Sequence, residues 1–132
     1  MELKTAYAFG KTVDMTYAEA EKKVREELLK EGFGVLTEID VKKKFAEKLK
    51  KEFRDYIILG ACNPHLAYEA LGREMNLGTL LPCNVIVYTR DDGKTAVMVM
   101  DPVAALGMIG NPEMTEMAKT VSAKLQKVLA AL

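Results

Sequence analysis

The sequence predicts an α+β fold, a compact two-layer domain in which a mixed, mainly antiparallel sheet of about five strands carries four helices. Three observations lead there. Residues 56–61 (YIILGA), 85–87 (VIV) and 96–100 (AVMVM) are apolar at successive positions, as strands buried on both faces are. Apolar residues recur three and four apart over 17–28, 41–49 and 114–132, giving each segment the single stripe of a helix that lies on a sheet. Between the last two apolar runs, Asp92-Gly93 marks a hairpin, because both residues tolerate the left-handed conformation of a tight turn.

Taken in order, residues 2–9 alternate, with Leu3, Thr5, Tyr7 and Phe9 on one side of a strand that Gly10 ends. Thr16 and Glu19 form a capping box for a helix running to about Glu31, with Tyr17, Ala20, Val24 and Leu28 on its apolar face. Gly32 supplies the left-handed residue after that helix, and Phe33 the apolar contact that accompanies it. A strand at 34–39 leads to Asp40, the cap of a helix of about ten residues with Val41, Phe45 and Leu49 on one face. Lys42, Lys43, Lys44, Lys48, Lys50 and Lys51 fall mostly outside that face. They read either as an anion-binding patch or as a solvated surface, and the one aromatic residue within the run, Phe45, belongs to the apolar face rather than standing among them to stack bases. Asn63 caps a third helix with Pro64 at its first position, and Asn111-Pro112 opens a last one whose stripe is Met114, Met117, Val121, Leu125, Val128 and Leu132.

A chain of 132 residues is long enough for one domain with one core. Its 19 basic and 19 acidic residues leave no net charge to draw it to nucleic acid or an anionic membrane. The start, Met1-Glu2-Leu3-Lys4, lacks a signal-peptide pattern, and no apolar run is long enough to span a bilayer. A soluble, cytoplasmic protein is expected, and in that compartment Cys62 and Cys83 are expected to be free thiols.

Four motifs in order carry a family resemblance: GFGVLTEIDV at 32–41, ILGACNP at 58–64, LLPCNVIVY at 80–88 and MDP at 100–102. Together they resemble the DUF302 (TT1751-like) family of small bacterial and archaeal proteins, over a stretch from about Thr16 to the C-terminal helix. The resemblance implies a decorated, TATA-binding-protein-like unit that forms homodimers. It implies no particular activity and no cofactor.

The candidate site is one end of the sheet. If Asp92-Gly93 is a two-residue turn, Asp91 faces Lys94, Tyr88 faces Val97 and Asn84 faces Asp101, which puts Cys83 at the same end as Asp101. Cys62 ends its own strand and joins them if that strand lies antiparallel beside Cys83's. Helices capped by Asn63 and Asp101, with Pro64 and Pro102 following, would aim amide donors there. The preferred expectation is a pocket for a small molecule or anion built from Cys62, Asn63, Pro64, His65, Cys83, Asn84 and Asp101. A rival is a thiol-dependent enzyme or sulfur-handling protein with Cys62 as a nucleophile of lowered pKa; a third is a purely structural interaction domain. Both cysteines also read simply as small buried hydrophobes. Cys62 and His65 form a Cys-x-x-His pair that Cys83 and Asp101 could complete around zinc or iron, but no second pair mirrors it and no metal is expected.

The chain is expected to pair with itself. The helices starting at Thr16, Asp40 and Asn63 can cover one sheet face, leaving the 114–132 helix and perhaps the short 102–108 segment for the other. A second subunit, met partly through Met114, Met117 and Val121, would cover the remainder.

Overall fold

The structure is a computed structural model and describes residues 1–132. In chain order it comprises β1 (Glu2–Lys4), β2 (Ala8–Val13), α1 (Tyr17–Lys30), β3 (Gly34–Asp40), α2 (Val41–Leu49) and β4 (Tyr56–Cys62). Then follow α3 (Pro64–Arg73), a 3-10 segment (Met75–Leu80), β5 (Cys83–Thr89), β6 (Thr95–Met100), α4 (Pro102–Gly107) and α5 (Pro112–Ala130). The strands make one sheet in the order β1-β2-β6-β5-β4-β3, and every neighbouring pair is antiparallel. No helix is long and apolar enough to cross a membrane.

The α+β class stands, with an extra strand at the N-terminus. Residues 2–9 are not one strand: the chain turns at Thr5, whose Oγ1 accepts from the amides of Tyr7 at 3.2 Å and Ala8 at 3.0 Å. Local side-chain bonding of this kind offers the backbone an alternative to extension. Gly10 therefore lies inside β2, opposite Leu3 on one side and Met98 on the other. A Cβ there would stand 1.9 Å from the Val97 carbonyl oxygen, so glycine is what lets β2 approach β6 this closely.

The last hairpin also differs from expectation. Gly93 N donates to Arg90 O at 3.0 Å and Arg90 N to Lys94 O at 2.8 Å, so Asp91, Asp92 and Gly93 all belong to the loop. Gly93, at φ +83°, supplies the left-handed residue that follows a type I turn in such loops. The register shifts by one: Tyr88 faces Ala96 and Val85 faces Val99, and the Tyr88–Val97 and Asn84–Asp101 pairs do not form. Continued to the strand ends, this register sets Cys83 rather than Asn84 level with Asp101.

Burial is divided unequally between the two faces. Ile57, Leu59 and Ala61, Val85 and Val87, and Val97 and Val99 occupy alternate, mutually paired positions on one face. They join Ala20, Val24 and Leu28 of α1 and Val121, Leu125 and Val128 of α5 in one buried cluster. A smaller cluster of Ala70, Leu77, Leu106, Met114 and Ala118 extends the layer past the sheet end. Hence α1 and α5 share a face, and Met114 and Val121 are consumed inside the chain rather than left for a partner. Only α2 lies over the opposite face, where Phe45 meets Phe53 edge-on at 5.1 Å and Tyr56 stacks on Tyr88 at 5.4 Å.

Candidate functional site

The site is built by three chain reversals at one end of the sheet. In the first, α1 stops at Gly32, φ +83°, with Phe33 N donating to Leu28 O at 2.9 Å. This left-handed stop turns Phe33 inward, where it is buried. In the second, β4 ends at Cys62 and Asn63 starts α3, its Oδ1 accepting from Leu66 N at 3.3 Å. The third is the 3-10 segment and Leu81-Pro82, which bring the chain back into β5 at Cys83. β4 and β5 are antiparallel neighbours with Ala61 opposite Cys83, so the condition for the two thiols to share an end is met.

Between the sheet end, α3, the 3-10 segment and α5 lies a partly open cavity of about 40 Å³. Fourteen of its 16 lining residues are hydrophobic and none carries a charge. Cys62, Asn63 and Cys83 line it, with Phe33, Leu66 and Met117 among the apolar walls. Burial in this lining sets the thiol chemistry. It pushes the Cys62 thiol above its ordinary pKa and pushes Cys83 up to about 11, the proximity of Cys62 adding to the shift at Cys83. Burial raises the Cys62 thiol, so the expectation of a lowered pKa there is reversed.

The remaining candidates disperse. Pro64 and His65 are exposed on the first turn of α3 and Asn84 is exposed opposite Gly60; none of them lines the cavity. Asp101 is occupied as the cap of α4, its Oδ1 accepting from Val103 N at 3.0 Å and Ala104 N at 3.3 Å. It opens instead on a separate groove with Lys4, Lys11 and Gln126. No group of three or more His, Cys, Asp and Glu side chains converges as a metal site. The lysines of α2 are exposed, two of them paired: Lys42 with Asp55 at 3.3 Å and Lys44 with Glu47 at 3.8 Å.

Sequence reasoning missed Phe33, Met100 and Met117 as cavity residues. Their signals were present but pointed elsewhere: Phe33 as a helix-stop contact, Met100 as the last strand residue and Met117 as one step of an apolar stripe.

A family model described as "Domain of unknown function DUF302" matches residues 9–132. The fold is similar to the crystal structure of an uncharacterized conserved protein DUF302 from Bacillus stearothermophilus, with a TM-score of 0.89 and 29% identity over 96% of this chain and 98% of that one. No curated protein matches the chain.

Proposed function

This chain belongs to the DUF302 family, and from that premise we propose that it is a homodimeric binding module that takes a small apolar molecule, or the alkyl end of a longer one, into the cavity at the end of its sheet. The observation that carries the reading is the lining: 14 of its 16 residues are hydrophobic, Cys62 and Cys83 among them, and the other two are Asn63 and Pro82. Such walls reward an apolar guest and offer no cation to hold an anion, which narrows the ligand class. Size narrows it further, since about 40 Å³ is well below the roughly 150 Å³ of a cavity that holds benzene. A thiol enzyme is less well supported, because both cysteines are held in their protonated form at neutral pH.

Titration with 1-hexanol followed by amide NMR shifts tests the reading. Saturable shifts confined to residues 61–67, 77–83 and 117–121 are expected, and they should vanish in Ala67→Leu, which fills the cavity from α3. Shifts that do not saturate, or that persist unchanged in Ala67→Leu, would refute it.

A further inference from the structure

A single side-chain donor of this chain is buried without a partner: Nη1 of Arg90, at the start of the β5–β6 loop. Its neighbour Nη2 meets Asp92 Oδ2 at 3.3 Å, and the side chain as a whole is 25% exposed. A second guanidinium lines the same groove, that of Arg54, whose Nη1 donates to Thr89 O at 3.1 Å while Nη2 pairs with Asp91. With Leu3, Tyr88, Asp91 and Asp92 the two arginines enclose about 410 Å³, at the end of β5 remote from Cys83 and the apolar cavity. We propose that this groove is a binding site for a small organic oxyanion, a phosphate or carboxylate on an apolar group, held by the guanidinium groups of Arg54 and Arg90 with Leu3 and Tyr88 as its apolar wall.

Hydrogen-bond accounting selects the ligand. A buried donor on a charged group left without an acceptor costs more than a typical bond gains, so the resting position of Arg90 is one that an acceptor improves. A guanidinium presents its donors as a planar fork, which a phosphate or carboxylate meets with two parallel bonds; Asp92 meets only Nη2. Nη1 has no surface in solvent, so it reaches an anion when the guanidinium turns towards the groove, exchanging the Asp92 contact for two bonds. Asp92 stays with the loop when this happens, because its Oδ1 also accepts from Lys94 N at 3.0 Å. Arg54 is already positioned, since the Thr89 carbonyl fixes one arm of its fork. Both aspartates compete with a ligand for these cations, but Asp91 is 92% and Asp92 44% exposed, and ion pairs in that setting contribute little. The wall favours an organic anion over a bare one. Tyr88 is stacked on Tyr56 at 5.4 Å, which holds its ring in place, and the groove exceeds the roughly 300 Å³ at which small-molecule sites begin.

The test is titration of the full chain with phenyl phosphate at low ionic strength, followed by amide NMR shifts, with folding of each variant checked by its thermal transition. One saturable site is expected, with shifts centred on residues 54 and 88–92 and none around the apolar cavity, so its outcome is independent of 1-hexanol binding. Affinity should fall about tenfold in Arg90→Gln and in Arg54→Gln, the loss of one charge-assisted contact. Arg90→Lys keeps the charge but not the fork and should fall nearly as far. Asp91→Asn removes a competing carboxylate and should bind about threefold more tightly, a gain that a merely structural role for the arginines does not produce. Inorganic phosphate, which makes no use of Leu3 and Tyr88, should bind more weakly than phenyl phosphate. Absence of saturable shifts at millimolar phenyl phosphate would overturn the proposal. So would unchanged affinity in either glutamine variant, no gain in Asp91→Asn, or inorganic phosphate binding as tightly as phenyl phosphate.

Discussion

At the scale of single residues, the two cysteines show how environment overrides position in the chain. Cys62 sits immediately before a capped helix start, an arrangement that by itself lowers a thiol pKa, yet desolvation raises it. Cys83 is the more deeply suppressed, pushed up to about 11 from an ordinary 9.0. Only the thiolate reacts, so alkylation by iodoacetamide at pH 7.5 should label Cys62 faster than Cys83, and both more slowly than in the unfolded chain. Rates should climb as pH approaches the raised values. Cys83 labelling as fast as Cys62, or either reacting at the unfolded rate, would contradict this burial. In the sequence the thiols share a sheet end only on condition that their strands lie side by side, which the strand order supplies; their protonation was not legible, because it depends on burial in a lining drawn from segments distant along the chain.

Among the elements, local chemistry marked most boundaries. Thr16, Asp40, Asn63, Asp101 and Asn111 all cap the helices they were expected to cap, each side chain accepting from an amide two or three residues ahead. What failed was the reading of glycines 10 and 93. Gly10 serves a close approach rather than a strand end, and Gly93 closes a longer loop rather than a two-residue turn. Both errors share a cause: a glycine signals that a side chain is excluded without saying whether a turn or a neighbouring strand excludes it. The two roles predict different costs. Gly93→Ala meets no atom within 4 Å and strains only its φ of +83°, for about 1 kcal/mol. Gly10→Ala meets backbone atoms that cannot swing aside and should cost about 3 kcal/mol or more as β2 and β6 are forced apart. Urea denaturation of the two variants checks the ranking, and equal midpoints would show that β2 can shift without loss.

For the whole molecule, the imbalance between the two sheet faces is the main consequence of the fold. The face under α1 and α5 is closed, but around α2 apolar side chains remain in solvent: Leu36 is 66% and Leu49 58% exposed, with Ile39, Phe45 and Phe53 also exposed. A nine-residue helix with no buried residue has little to hold it in water, since helices this short draw their stability from packing. A second copy of the chain on this face is the cover we propose, in place of contacts through Met114 and Val121. Sedimentation equilibrium at micromolar concentration should give twice the 14.6 kDa chain mass, and Phe45→Glu should return it towards one. A single-chain mass that stays constant on concentration would refute the dimer. The sequence by itself determined the class of fold, the helix caps, the two free thiols and the apolar strands, because these follow from periodicity and from bonds within a few residues. Tertiary structure alone decided which helices share a face, the strand order, the one-residue shift of register and the lining of one cavity by residues of distant segments, because each depends on contacts between segments whose distance along the chain carries no information about their distance in space.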